Sequence, residues 1–227
     1  MKHVGIVACS AEGAALCYRT ICAEGARRFG EHAHPEISLH SHSLADYVRC
    51  IDADDWRGVG DLMLSSAAKL QRAGAGFAIC PDNTIHRAFD HVSSRSPIPW
   101  LHIADVVSSH AARAGWTRVG LTGTRWLVES DVYPAQLTKR GLEYRRPSDG
   151  DAAEMNRAIM NELVNGVFER ETVEFFQGVI ARFRDERCDA VILGCTEIPL
   201  IINDANSPLP TLDSTRLLAR AALEYAE

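Results

Sequence analysis

Asp189-Ala190-Val191-Ile192-Leu193-Gly194-Cys195-Thr196-Glu197-Ile198-Pro199 is the stretch that decides the fold. Its apolar run, Ala190–Leu193, reads as a fully buried strand and stops abruptly at small, polar, reactive residues. The same pattern occurs earlier in Gly76-Phe77-Ala78-Ile79-Cys80-Pro81-Asp82-Asn83-Thr84-Ile85-His86. In open α/β sheets, ligands bind beyond the carboxyl ends of the strands, so each ending is a candidate half-site.

Outward from these two segments, strand and helix signals alternate. Strands are predicted over 3–9, 36–43, 77–80, 118–122, 142–146 and 190–193, and helices over 13–29, 61–73, 104–114, 152–165, 171–185 and 215–225. Alternation of this kind implies parallel sheets with right-handed crossovers. The pattern restarts at Val119-Gly120-Leu121, which mirrors Val4-Gly5-Ile6, and the Cys195 segment mirrors the Asp82 segment. The fold class is therefore α/β: two similar Rossmann-like lobes, each a mainly parallel sheet flanked by helices, with an active site in the cleft between them. The Pro-rich segments Ser96-Pro97-Ile98-Pro99 and Ser207-Pro208-Leu209-Pro210 mark the crossings, giving lobes of 1–97 plus 211–227 and 98–210.

Composition narrows the function classes. A net charge of −6 with no basic stripe argues against a nucleic-acid partner. No apolar run approaches the ~20 residues a membrane helix needs. Met1-Lys2-His3-Val4-Gly5 runs straight into a strand, so no signal peptide is expected. Seven cysteines without paired spacing suit a reducing compartment, and the expectation is a cytoplasmic protein. Only Cys9, Cys80 and Cys195 sit at strand ends, where a chemical role is worth weighing.

Cys195, between Gly194 and Thr196, is placed to be lifted from the core beside backbone N–H groups that favour a thiolate. Asp82 is either a turn or cap residue or a general base, and Cys80 competes with it for that role. Ser10-Ala11-Glu12-Gly13 and Thr122-Gly123-Thr124-Arg125 end the opening strands with small hydroxyl residues suited to a carboxylate, although helix caps look the same. Neither has the glycine spacing of a dinucleotide fingerprint or a phosphate loop. His40-Ser41-His42, with His32 and His34, lacks partners at ligand spacing, so no metal is expected. His86 either donates to a substrate carboxylate or caps its turn.

These residues resemble the aspartate/glutamate racemase family, the cofactor-independent amino-acid racemases. The likeness rests on Val4-Gly5-Ile6, Glu12 with Tyr18-Arg19, and Asn83-Thr84-Ile85-His86. It continues through Leu121-Thr122-Gly123-Thr124-Arg125, Asn161-Glu162-Leu163 with Gly166, and Gly194-Cys195-Thr196-Glu197-Ile198. The resemblance implies a two-lobe homodimer that needs no cofactor and acts on a small amino-acid or dicarboxylate substrate. The sequence departs where such proteins place a cysteine directly before Asn-Thr, since Asp82 stands there. The opening Ala8-Cys9-Ser10-Ala11-Glu12 is not glycine-rich, and the histidine often found after the last strand is absent, Leu217 and Leu218 following Asp213-Ser214-Thr215-Arg216.

Racemisation requires a base on one face of Cα and an acid on the other, with donors for the enolate charge. Cys195 and Asp82 are the expected pair. Ser10, Asn83, Thr84, Thr124 and Thr196 would hold the substrate, and Glu12 and Glu197 would orient those groups. Two other readings stay open: a decarboxylase or cis–trans isomerase using Cys195, and a non-catalytic small-molecule binding protein.

Overall fold

In a computed structural model describing residues 1–227, β1 (Val4–Ala8) lies between β2 (Ile37–Ser41) and β3 (Phe77–Ile79). With β4 (Trp100–Leu101) they form an all-parallel sheet in the order β2-β1-β3-β4. A second all-parallel sheet repeats that order as β6-β5-β7-β8, built from β5 (Arg118–Thr122), β6 (Glu143–Arg145), β7 (Ala190–Leu193) and β8 (Thr211–Asp213). The α/β class and the paired parallel sheets expected from the alternation are the ones observed.

The chain forms two compact units, Met1–Val106 with Thr215–Glu227, and Val107–Ser214. The passages thus fall later than the Pro-rich segments suggest. Pro99 O accepts the Ala78 N–H at 2.8 Å and leads into β4, which pairs with β3 and keeps the chain in the first unit. Likewise Pro210 O accepts from Val191 N–H at 2.9 Å, and β8 pairs with β7 in the second. Proline here opens an edge strand, where its missing N–H costs no ladder bond.

In the first unit β1 is followed by α1 (Ala11–Phe29), and β2 by α2 (Leu44–Asp52) and α3 (Trp56–Arg72). After β3 come a 3-10 turn, Thr84–Ala88, and α4 (Phe89–Ser93); α5 (Ile103–Arg113) then carries the chain into the second unit. Side chains alternate across a strand, and the core follows that period. Val7, Ala78 and Cys80 pack with Tyr47, Val59, Met63 and Ala67 of α2 and α3. Val4, Ile6, Phe77 and Ile79 pack on the other face with Cys17 and Ile21 of α1 and with Leu218 and Ala222 of the C-terminal helix.

The second unit adds α6 (Arg125–Val128), α7 (Val132–Thr138), α8 (Asp149–Asn161) and α9 (Arg170–Asp185) before α10 (Ser214–Ala226) returns the chain to the first. Its core sets Val191 and Leu193 of β7 against Met155 and Ile159 of α8 and Phe176, Ile180 and Phe183 of α9. Each of these buried side chains contributes about 1.5–3 kcal/mol on leaving water. One glycine in each central strand makes the repeat concrete. A Cβ on Gly5 would stand 3.3 Å from Leu70 of α3, and one on Gly120 would stand 2.5 Å from the Phe183 ring of α9. In both units, the helix that precedes the third strand presses on a glycine of the first. No helix is long and apolar enough to cross a membrane.

Candidate active site

The turn after β7 is shaped by Gly194. Its N–H donates to Thr122 O at 3.1 Å, and a Cβ there would strike that carbonyl oxygen and the Leu127 side chain at 2.6 Å. Thr122 Oγ1 donates to Ile192 O at 2.7 Å, binding β5 to β7 just below the turn. The chain then lifts Cys195 into a half-buried position. Its Sγ donates to Glu197 Oε2 at 2.9 Å, and Thr196 Oγ1 donates to the same oxygen at 2.7 Å. Thr196 and Glu197 are both 4% exposed, so this carboxylate is a buried acceptor shared by a thiol and a hydroxyl. Ile198 N–H donates to Cys195 O at 3.2 Å and opens the 3-10 turn Ile198–Leu200, with Pro199 where its missing N–H costs nothing. Thr124 is buried and caps α6, accepting from Leu127 N–H at 3.4 Å.

The turn after β3 occupies the same topological place in the first unit. Cys80 is fully buried, and that burial, followed by the charge of Asp82, pushes its thiol well above the ordinary range. Asp82 is half-buried. Its Oδ1 accepts from Ile85 N–H at 3.2 Å, and its carbonyl accepts from His86 Nδ1 at 2.6 Å. Because a carbonyl can only accept, His86 carries its proton on Nδ1, and Nε2 accepts from Ile103 N–H at 3.4 Å. Burial, then the neighbouring His102, holds His86 well below its ordinary pKa, so the ring is neutral. His86 closes its own turn on the Asp82 carbonyl, the capping alternative, and also braces that turn to the start of α5.

Asn83 is buried and Thr84 half-buried in this turn. Ser10 caps α1, its Oγ accepting from Gly13 N–H at 3.3 Å. Glu12 projects from the first turn of α1 and is exposed. His40 and His42 are held by serines of α3, at 3.0 Å to Ser66 and 3.1 Å to Ser65. Tyr47 of α2 is wholly buried. Ser43 caps α2, its Oγ accepting from Ala45 N–H at 3.3 Å, ahead of Asp46 in the first turn.

A family model described as Asp/Glu/Hydantoin racemase matches residues 6–222. A broad specificity amino-acid racemase of Bacillus subtilis, RacX, is 23% identical over 194 residues, 84% of this chain and 81% of that protein. A Yersinia pestis structure with a provisional Asp/Glu racemase assignment is 31% identical, with a TM-score of 0.92 over 100% of this chain and 99% of the other. An aspartate racemase homologue from Pyrococcus horikoshii is 28% identical, with a TM-score of 0.87 over 100% of this chain and 99% of the other. The match spans nearly the whole chain and both strand-end turns, and the chain belongs to the Asp/Glu/Hydantoin racemase family.

Proposed function

We infer that this protein is an amino-acid racemase acting on aspartate, glutamate or a related amino acid, without pyridoxal phosphate. Cys195 serves one face of Cα and Asp82 the other, one removing the proton and the other returning it. One observation carries the reading. The third strand of each sheet ends in a turn carrying one half-buried side chain chemically able to exchange a proton, Asp82 in one unit and Cys195 in the other. The deep burial of Cys80 supports Asp82 over its rival.

The remaining roles follow from the local hydrogen bonds. Glu197 aims the Cys195 thiol and anchors Thr196. Ser10, Asn83, Thr84 and Thr124 supply hydroxyls and an amide for the substrate carboxylate and ammonium. Glu12, exposed on its own unit, is assigned to the substrate's outer edge. The same reading makes the protein a cytoplasmic homodimer that interconverts D- and L-amino acids.

A Cys/Asp pair is chemically unequal. With reference pKa values of about 8.5 and about 3.9, thiol and carboxylate coexist at neutral pH, the state needed for one direction. The reverse direction needs thiolate and carboxylic acid. The two enantiomers therefore turn over at different kcat, while equilibrium stays racemic. Proton NMR in D2O with each enantiomer of aspartate and glutamate, then a wider panel, tests the assignment. Loss of the Cα–H signal that disappears in both Cys195→Ser and Asp82→Asn is the expected result. Undiminished exchange in Asp82→Asn would remove Asp82, and no exchange with any amino acid would return the decarboxylase, isomerase and binding-protein readings.

A further inference from the structure

Ser214 is the first residue of α10, wholly buried, and its Oγ lies 2.9 Å from Leu193 O. A carbonyl can only accept, so the hydroxyl is the donor. Leu193 ends β7 and stands two residues before Cys195. The same peptide unit is held at its other end, because Gly194 N–H donates to Thr122 O at 3.1 Å. One residue earlier, Thr122 Oγ1 donates to Ile192 O at 2.7 Å. Thr122 ends β5 on one flank of β7, and Ser214 follows β8 on the other. The planar Leu193–Gly194 unit is thus tied by its carbonyl to one flank and by its N–H to the other, which opposes any rotation. Its orientation sets the direction in which the chain leaves β7 for Cys195.

The hydroxyl is not what docks its own elements. β8 is paired to β7 through Leu193 and Asp213, and α10 is anchored by Leu218, Ala219 and Ala222 in the core of the first unit. The first unit has a counterpart made of other groups. Ile103, the first residue of α5, donates its N–H to His86, whose other ring nitrogen holds the Asp82 carbonyl. In both units the helix after the edge strand reaches, through its first residue, a carbonyl at the third strand's end or in the turn beyond it. We propose that Ser214 is a positioning residue for Cys195, its hydroxyl fixing the Leu193–Gly194 peptide so that the thiol is held on Glu197 and aimed at the substrate Cα. The step to a substrate rests on the racemase reading, whereas the link from Ser214 to Cys195 stands without it.

Two readouts separate the link from the reaction. The first is alkylation of Cys195 by iodoacetamide at neutral pH without substrate, followed on the Cys195 peptide by mass spectrometry. Ser214→Ala frees the peptide unit, loosens the thiol from Glu197 and should raise that rate severalfold. The second is D2O exchange with aspartate and glutamate. There Ser214→Ala should lower kcat about tenfold with KM changing far less, because a small misplacement of a reacting group is felt in the transition state. Ser214→Thr keeps the hydroxyl and should restore both. Ser214→Cys, a weak donor of similar size, should fall between them and serves if the alanine variant misfolds. Ser207→Ala removes another hydroxyl-to-carbonyl bond of the second unit, 2.7 Å to Leu209 O, and should move neither readout. An unchanged alkylation rate in folded Ser214→Ala overturns the proposal, as does an equal change in Ser207→Ala. A raised alkylation rate in a protein that exchanges no amino acid would keep the Ser214–Cys195 link and discard the racemase reading.

Discussion

The turns after β3 and β7 hold the same place in two copies of one sheet, yet they use their polar groups differently. In the second unit the side-chain bonds converge on the reactive residue: Glu197 accepts from Cys195 and Thr196 through one oxygen. In the first they hold the backbone: the Asp82 carboxylate accepts from Ile85 N–H, its carbonyl accepts from His86, and His86 reaches Ile103. The repeat supplies equivalent places beyond the sheet. What each place can do is set by one or two residues and by where their hydrogen bonds go.

The comparison breaks most visibly on activity. Cys195→Ser and Asp82→Asn should each lower Cα–H exchange by about 10²–10⁴, the usual worth of a positioned acid or base. If only Cys195→Ser does so, the two turns are not functional counterparts. Asp82→Cys makes the pair chemically alike and should bring the kcat ratio of the two enantiomers towards one, measured by polarimetry from each side. Glu197→Gln replaces a shared charged acceptor, and with hydrogen bonds to charged groups worth about 1.5–3 kcal/mol, exchange should fall about 10–100-fold. An unchanged rate would show that the Cys195 thiol needs no carboxylate to aim it.

A structural probe of the second turn comes next in size. Gly194→Ala puts a methyl group against the Thr122 carbonyl and the Leu127 side chain. Overpacking of this kind costs about 3 kcal/mol, which a urea melt would read as a lowered midpoint with an unchanged slope. A midpoint equal to wild type would mean that the close approach of β5 and β7 relaxes freely.

Much of this was legible in the sequence, for identifiable reasons. Ala190–Leu193 is an apolar run with sharp ends and Arg118–Thr122 repeats the pattern of the first strand, and both strands begin and end where those patterns place them. β4 and β8, of two and three residues, are too short to show a period, so the passages between the units lie later than the prolines alone suggest. The candidate site at Cys195 could be read because its partners are its neighbours in sequence. The burial of Cys80 follows the period of two from Ala78, which shares its cluster. His86 could be read as a cap of its own turn but not as a brace, because its second partner, Ile103, lies 17 residues away.

Acid should separate the two units by a smaller margin. Eight of the nine histidines belong to the first unit, and burial lowers the pKa of four of them, His86 and His102 most and His40 and His42 less. His102 Nδ1 caps α5, accepting from Ala104 and Asp105 N–H at 3.1 and 3.3 Å, and burial lowers its pKa to about 4. A histidine with a depressed folded pKa binds its proton more readily once unfolded. Stability is therefore full above about pH 6.5 and declines as pH falls towards the folded value of about 4. In the second unit Asp189 is held below its ordinary pKa by the Thr117 and Arg118 N–H groups, so its contribution is lost only below about pH 4. Hydrogen exchange at pH 7 and pH 5 should therefore show the first unit loosening before the second. His102→Asn keeps a side-chain cap for α5 and removes the titrating ring. It should leave stability at pH 7 nearly unchanged and recover up to about 2 kcal/mol of the loss at pH 5. Equal acid sensitivity in the variant and the wild type would assign the asymmetry to His86, which braces the Asp82 turn, together with His40 and His42, which burial also holds below their ordinary pKa.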